Sequence, residues 1–273
     1  MGRQRAGNQS FYILPGLQLF TEYGYADDVT DEQLSRRFEA CTGMDLFHEI
    51  VDLKYMDETP GIEEGNHWMA RPSKYILYQD VLLGLFDKHL EGGPDLAGHY
   101  SEMGRKWHAV RAKTEEPFST MFEFFECLSM VAAVKGPLGL EITRLYKGRN
   151  MEELTTLVQH RLPSLITQVN ELRRVHRRLW MLTNKAQGWE DQDIRYGGIM
   201  ARLHTAAERL EDFLEGRVDL LEELEQQRLM FEPQLPDGQG PLTIDSNSYQ
   251  RIAGLLIKWV EDNILHPFFR ASQ

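Results

Sequence analysis

Two long stretches in the second half of the chain carry apolar residues at helical spacing. Between Pro163 and Asn184 these residues are Leu165, Val169, Leu172, Leu179 and Leu182. Within residues 193–216 they are Ile199, Leu203, Ala206, Leu210 and Phe213. Such spacing lines one face of a helix, and two helices bury these faces by packing together. The pattern predicts a long antiparallel helical hairpin with its connection at 184–193.

The rest of the chain is also helical in pattern. A capping box at Thr30 and Gln33 and a stop at Gly43 bound one helix. Further helices are predicted at 44–54, 74–90, 96–113, 118–146, 220–230 and 246–266. Residues 56–72 read as a loop, residues 232–241 as a Pro and Gly loop, and Gly136 with Pro137 predicts a bend or break in the 118–146 helix. No segment reads as a strand, so the sequence predicts an all-α fold, a multi-helix bundle built around the hairpin.

The segment from Phe11 to Tyr25 is apolar on nearly every side, with Pro15 and Gly16 inside it. A helix that is hydrophobic all round is normally buried between layers of structure. Few residues precede this segment to cover it. We therefore expect it to pack against something that the remaining helices do not supply.

Composition narrows the class of protein. The chain is 42% hydrophobic and 26% charged, which is typical of a globular protein, and its net charge of −12 argues against binding to nucleic acid or to anionic lipid. The basic residues Arg173, Arg174, His176, Arg177 and Arg178 are interpreted as a solvated helix face. The two cysteines, Cys41 and Cys127, allow at most one disulfide, and neither a secretion signal nor a membrane span is evident. These features predict a cytoplasmic protein.

The usual catalytic and metal-binding patterns are missing from the sequence. His204 and Glu208 stand four apart, but a single such pair is read as a surface contact, because a helical metal site needs paired motifs on facing helices. Gly197 and Gly198 are read as residues for close helix packing. The sequence therefore predicts no catalytic residues, no cofactor and no metal ligands.

One acidic pair and four tryptophans remain as candidates. Asp57 and Glu58 could act in acid/base or glycosidic chemistry, but they fall between a helix and a Pro/Gly loop, which favours an exposed loop. Trp107 and Trp180 lie at helical periods and are expected in the core. Trp68 and Trp189 are predicted to lie in loops, either at the rim of a sugar site or interface or at a buried corner.

Four strings in this order and spacing carry a family resemblance: SFYILPGLQLFTEYGY at 10–25, DEQLSRRFEACTG at 31–43, SKYILYQDVLLGLFDKH at 73–89 and DIRYGGIMARLHTAAERLEDFLEG at 193–216. Together they resemble the C-terminal part of an exo-β-N-acetylglucosaminidase-like subgroup of glycoside hydrolase family 20, the β-N-acetylhexosaminidases. The resemblance implies an enzyme whose (β/α)₈ barrel carries the chemistry and is followed by a helical domain. It places the segment 11–25 as the last barrel helix.

Such enzymes remove terminal N-acetylhexosamine with retention, using the acetamido oxygen of the substrate as nucleophile, while an Asp orients that group and an adjacent Glu is the general acid. Their Asp-Glu pair stands in a His-x-Gly-x-Asp-Glu context. Here Lys54, Tyr55 and Met56 precede Asp57 and Glu58. The catalytic role is therefore not transferred to this pair.

Three hypotheses follow. The first is a non-catalytic helical domain, with residues 1–26 as the remnant of the barrel helix, 27–231 as the helical domain, and 232–273 as a loop and an amphipathic helix. Its partner is a barrel in cis or from a neighbouring gene, as for a truncated, excised or split reading frame, and a homodimer is also considered. The second is a compact hydrolase using Asp57 and Glu58. The third is a free-standing binding module with a cavity lined by Trp180, Phe122 and Phe125.

Overall fold

The computed structural model describes residues 10–62 and 71–230, and most of these residues are helical. The α-helices are α1 (Leu14–Tyr23), α2 (Asp31–Thr42), α3 (Phe47–Val51), α4 (Pro72–Tyr78), α5 (Leu96–Arg111), α6 (Phe118–Lys147), α7 (Met151–Thr156), α8 (Leu162–Thr183), α9 (Trp189–Leu214) and α10 (Glu222–Glu225). Shorter 3-10 turns cover Ser10–Ile13, Asp52–Met56 and Asp87–Leu90. The predicted all-α class is confirmed.

Within the described residues, the strands are one parallel pair of two residues each, β1 (Gly84–Leu85) and β2 (Leu229–Met230). The predicted elements at 232–241 and 246–266 lie outside the described residues, as does Trp68. A helix long and apolar enough to cross a bilayer is not found among those described.

Helix α6 is the centre of the bundle, with α4, α5, α7 and α8 packed around it. Its apolar residues face several neighbours at once, and the ring of Phe122 stacks on that of Trp107 from α5 with 6.0 Å between centroids. Of the predicted bend or break at Gly136 and Pro137, the break is wrong, because α6 runs without interruption through Pro137. At Gly136 an added Cβ would lie 3.6 Å from Cδ1 of Ile76 in α4, which is an ordinary van der Waals contact, so the packing does not require glycine there.

Helices α8 and α9 pack against each other along the stripes that the sequence predicts. The buried side chains are Leu165, Val169, Leu172, Leu179, Ile199, Leu203, Ala206, Leu210 and Phe213. The rings of Trp180 and Trp189 meet across the connection at 6.0 Å, and Arg173 pairs with Asp193 at 2.9 Å further along. Leu182 was expected in the stripe but is exposed at the end of α8.

The connection between these helices is shorter than expected and covers residues 184–188. It ends at Gly188, whose φ of +95° suits glycine, and the backbone N–H of this residue donates to the Glu190 carboxylate at 2.8 Å. Helix α9 therefore begins at Trp189.

The predicted helix at 74–90 is wrong in its second half. Helix α4 ends at Tyr78, because the next side chains capture backbone N–H groups that a helix would use. The Asp80 carboxylate accepts from Leu82 and Leu83 at 2.9 and 3.0 Å. The Gln79 side chain accepts from two more N–H groups, of Phe86 and Asp87, at 3.2 and 2.9 Å.

Two other predicted helices are shorter than expected. Residues 44–54 divide into α3 and a 3-10 turn. Of the predicted helix at 220–230, only α10 (Glu222–Glu225) forms, and its N-cap residue, Leu221, provides no side-chain cap. The Glu222 and Glu223 carboxylates instead accept from Arg209 of α9. The backbone N–H of Leu221 donates to the Tyr146 hydroxyl at 3.1 Å.

Candidate functional site

The outward side of α1 and the turn that follows it form an exposed apolar surface. We call it the outer face, and it consists of five apolar or aromatic residues. Their exposed fractions are 54% for Leu17, 40% for Leu19, 83% for Phe20, 56% for Tyr23 and 91% for Tyr25. Leu17, Phe20 and Tyr23 are spaced three apart and so follow one side of the helix. The apolar residues earlier in the segment, Phe11, Tyr12 and Leu14, pack against the core instead.

The side of α1 that faces the domain is partly polar. Glu22 is 9% exposed and forms an ion pair with Arg37 of α2. Its carboxylate also accepts a hydrogen bond from the Gln18 amide at 2.7 Å. A surface helix normally buries its apolar residues and exposes its acids. At Glu22 and Phe20 that arrangement is reversed.

The start of this segment is held separately. The Phe11 ring lies 5.3 Å from the ring of Phe118 at the beginning of α6. Pro15, in the first turn of α1, is buried. Helix α1 is thus attached to the domain at both ends, and the outer face is presented at a fixed position.

The sequence led us to expect the acidic pair in an exposed loop, but Asp57 and Glu58 are both half-buried. The Asp57 carboxylate accepts hydrogen bonds from the backbone N–H and the hydroxyl of Ser73, at 3.1 and 2.7 Å, in the first turn of α4. Burial raises the pKa of Asp57, and the two bonds from Ser73 oppose this increase. Glu58 pairs with Lys54 at 3.3 Å. Asp57 therefore satisfies the N-terminal turn of α4, and both carboxylates already have structural partners.

Trp189 lies at the first position of α9 and is 5% exposed. It belongs to a buried aromatic cluster made by His176, Trp180, Trp189 and Tyr196. Its indole N–H is buried without a hydrogen-bond partner, whereas that of Trp180 donates to the Lys185 carbonyl at 2.7 Å. Of the two alternatives given for Trp189, the rim of a site and a buried corner, the buried corner matches this geometry.

His176 departs from the solvated basic face that was predicted around it. It is buried, its Nδ1 lies 3.0 Å from the Tyr196 hydroxyl, and burial lowers its pKa to about 4. The arginines of that segment behave as predicted. Arg173 pairs with Asp193, Arg174 with Glu171 and Arg178 with Glu123.

The remaining candidates show no chemistry of their own. His204 and Glu208 are both exposed, and among the described residues no three potential ligands come together as a metal site. A Cβ added at Gly197 or Gly198 would meet nothing within 4 Å, so the close-packing interpretation is wrong in this part of the chain. The rings of Phe122 and Trp180, expected to line one cavity, make their ring contacts with different partners.

Sequence reasoning missed a buried polar cluster between α4 and α6. Lys135 is buried in α6, and its ammonium group donates to the carbonyls of Ile76, Leu77 and Gln79 at 3.0, 2.9 and 2.5 Å. The carbonyls of Ile76 and Leu77 are in the last turn of α4 and that of Gln79 follows the helix, so none of the three has a partner within the helix. Burial lowers the pKa of Lys135 to about 7, and Asp80 and Asp87 act in the opposite direction.

The same cluster attaches the end of the described chain. Asp87 is fully buried and pairs with Arg228, whose guanidinium also donates to the Leu82 carbonyl and the Thr143 hydroxyl, both at 2.8 Å. Asp80 pairs with Arg202 of α9 at 2.6 Å. Each charge has an opposite charge or hydrogen-bond partners, so the cluster fixes the 79–87 loop.

Comparison with known families identifies the domain. The sequence profile described as "Glycoside Hydrolase 20C C-terminal domain" matches residues 48–242, which is 195 of the 273 residues. A comparison with curated proteins finds no match. The matched range includes every described helix from the end of α3 to α10, and the resemblance seen in the sequence is confirmed. The chain therefore belongs to the glycoside hydrolase family 20C C-terminal domain family.

Proposed function

We propose that this chain acts as the non-catalytic C-terminal helical domain of a family 20 β-N-acetylhexosaminidase, an enzyme that removes terminal N-acetylhexosamine from glycans. The match of residues 48–242 to a C-terminal domain of that family carries the proposal. Its role is structural, to brace the catalytic domain and provide an interface. The chemistry takes place on the catalytic domain, in the cytoplasm.

The described residues agree with a role that does not include turnover. Their single strand pair contains two residues on each strand, so an eight-stranded barrel is not among them. The pair Asp57 and Glu58 is engaged with Ser73 and Lys54. A retaining glycosidase needs its carboxyl groups free to approach the glycosidic bond.

The proposal includes a division of the chain. Residues 1–26 are proposed as the remnant of the last barrel helix and 27–231 as the helical domain, while the third part, 232–273, lies outside the described residues. The barrel is supplied in cis or by a neighbouring gene. An in-frame or overlapping coding sequence upstream of Met1 with a His-x-Gly-x-Asp-Glu string is the expected genomic observation.

The direct experiment uses the purified chain and a nitrophenyl N-acetyl-β-glucosaminide. We expect no release of nitrophenol above the rate without protein, either from the wild-type chain or from an Asp57→Asn/Glu58→Gln variant whose helicity is confirmed by circular dichroism. Turnover by the wild-type chain that the double variant loses would contradict the proposal. It would favour the compact hydrolase instead.

A further inference from the structure

We propose that α6 and the 79–87 loop form a binding site for a guanidinium group, and that Arg228 is the intramolecular ligand of this site. Arg228 lies on residues 215–230, which we call the strap. The strap leaves the site and returns to it while the rest of the bundle stays folded. This inference concerns contacts within the domain and does not depend on the proposed function.

Four acceptors surround the Arg228 guanidinium. Its Nη1 donates to the Leu82 carbonyl and to the Thr143 hydroxyl, both at 2.8 Å. Its Nη2 donates to the Val81 carbonyl at 3.2 Å and pairs with the Asp87 carboxylate. The Arg228 side chain is 8% exposed and that of Asp87 is fully buried, so water is excluded from the ion pair. Removing one partner of such a pair leaves a buried charge without compensation.

Two glycines leave room for the guanidinium. At Gly84, whose φ is +77°, an added Cβ would lie 2.6 Å from Asp87 Oδ1 and 2.8 Å from Arg228 Nε. At Gly139 of α6, an added Cβ would collide with the same two head groups. Real Cβ atoms do not approach other atoms so closely, so the site requires the absence of a side chain at both positions.

The acceptors are held in place without the strap. The Gln79 side chain accepts a hydrogen bond from the backbone N–H of Asp87 at 2.9 Å. The Thr143 hydroxyl donates its proton to the Gly139 carbonyl at 2.8 Å, which leaves its oxygen to act as an acceptor. These bonds are made within α6 and the 79–87 loop. The site is therefore preorganised, and a ligand that enters it has little ordering to cause.

The number of acceptors selects a guanidinium over an ammonium group. Arg228 uses four N–H groups on two nitrogens, which a planar guanidinium presents in a fixed arrangement. An ammonium group has three donors on one nitrogen. A lysine in place of Arg228 would leave at least one of the four acceptors without a donor.

The strap has a small apolar attachment to the bundle. Within 215–228, the buried apolar side chains are Leu221 and Leu224. Gly216, near the start of the strap, has a φ of +71°, and an added Cβ there would meet nothing within 4 Å. Segments that bury little apolar area open at a lower free energy than the helices around them. Arg228 therefore provides the main contact at the far end of the strap.

The first test is chemical rescue of the full chain. Arg228→Ala empties the site and keeps its acceptors, and methylguanidinium chloride supplies the missing group. We expect Arg228→Ala to have a lower Tm than the wild-type chain. Methylguanidinium should raise the Tm of this variant in a saturable way, by roughly 3–5 °C at about ten times its dissociation constant. The wild-type Tm should not rise, because Arg228 already fills the site.

Controls define the ligand. Methylammonium chloride at the same ionic strength should not raise the Tm of Arg228→Ala, and Arg228→Lys should not restore the wild-type Tm. Arg209 also pairs with the strap, at Glu222 and Glu223, but its side chain is 24% exposed and that of Glu222 is 67% exposed. Arg209→Ala should therefore show no rescue. Equal rescue by methylammonium would indicate a general cation site, and an absence of rescue by methylguanidinium would mean that the site does not exist without the strap. Either result would overturn the proposal.

Hydrogen exchange followed by mass spectrometry measures the opening of the strap. In the wild-type chain, we expect amides of residues 221–228 to exchange faster than those of α6. Arg228→Ala should accelerate exchange in the strap by roughly tenfold or more without the same change in α6. Methylguanidinium should then slow exchange in the 79–87 loop but not in the strap, because the free ligand fills the site without tethering the chain.

The wild-type measurement does not depend on whether Arg228→Ala folds. If the strap amides of the wild-type chain exchange at the rate of α6, the strap opens only with the bundle and the proposal is wrong. Thr143→Val provides a milder variant, because it removes one acceptor of Arg228 and keeps the ion pair. It should accelerate exchange in the strap severalfold, and unchanged exchange would contradict the assigned role of Thr143 in the site.

Discussion

The ammonium group of Lys135, on α6, donates a hydrogen bond to the backbone carbonyl of Gln79, 2.5 Å away and 56 residues earlier in the chain. The same nitrogen also bonds the carbonyls of Ile76 and Leu77. An ammonium group has three N–H donors, so all three are used on carbonyls at the end of α4 and directly after it. A side chain of the central helix therefore caps the end of the neighbouring helix, in place of a glycine cap.

Replacing this lysine tests the importance of that contact. In Lys135→Met, three buried carbonyls lose their donor, and we expect the free energy of unfolding to fall by roughly 3 kcal/mol or more. Urea denaturation followed by circular dichroism measures the change. The matched control is Lys147→Met, at the exposed end of the same helix, which should change stability by less than about 0.5 kcal/mol. An equal effect of the two substitutions would show that Lys135 contributes no more than a surface lysine.

Two helical glycines should respond to alanine in opposite directions. A Cβ at Gly139 would collide with the head groups of Asp87 and Arg228 and lie 3.1 Å from the Val81 carbonyl, so Gly139→Ala should destabilise the domain by about 1–3 kcal/mol. A Cβ at Gly197 meets nothing within 4 Å, and alanine is the better helix former there. Gly197→Ala should therefore stabilise it by up to about 1 kcal/mol. Thermal unfolding of the two variants beside wild type measures both, and a lower Tm for Gly197→Ala would mean that another part of the protein approaches that position.

Some parts of the fold follow from residues close together in the sequence, and others depend on residues that only the folded bundle brings together. The stripes of α8 and α9 are predictable because each follows from residues three or four apart in the same helix. The end of α4 is not, since Lys135 and Arg228 are brought to the 79–87 loop only by the folded bundle. The one sequence signal was a lysine inside the apolar run MVAAVKGPLGL, where a charged residue must find buried partners.

For α1, the sequence predicts the exposed apolar surface but not the direction in which it faces. The all-round apolarity of residues 11–25 predicts an unfilled contact. The direction that α1 faces depends on Arg37 of α2, whose pairing with Glu22 cannot be read from either helix alone. Likewise, Asp57 was assigned to an exposed loop because its partner, Ser73, lies 16 residues further along.

The pH dependence of stability should report the burial of His176. Its pKa in the folded protein, about 4, is below the ordinary value of 6.5, so the unfolded chain binds the proton more readily between these pH values. Stability therefore decreases as the pH falls from 6.5 to 4, while above 6.5 the group contributes no pH dependence. At about 1.4 kcal/mol per pKa unit, the loss from this residue reaches about 3 kcal/mol.

The measurement is the free energy of unfolding by urea at intervals from pH 7 to pH 4, for wild type, His176→Gln and His204→Gln. Acidic groups also titrate in this range, so the difference between wild type and each variant isolates the histidine. His176→Gln keeps a group that can bond the Tyr196 hydroxyl but cannot take up the proton, and its stability should fall less steeply toward pH 4. His204 is exposed, and His204→Gln should follow the wild-type curve. If the His176→Gln curve were parallel to that of the wild type, the imidazole would have to accept its proton as easily in the folded domain as in water, and the buried contact with Tyr196 would be wrong.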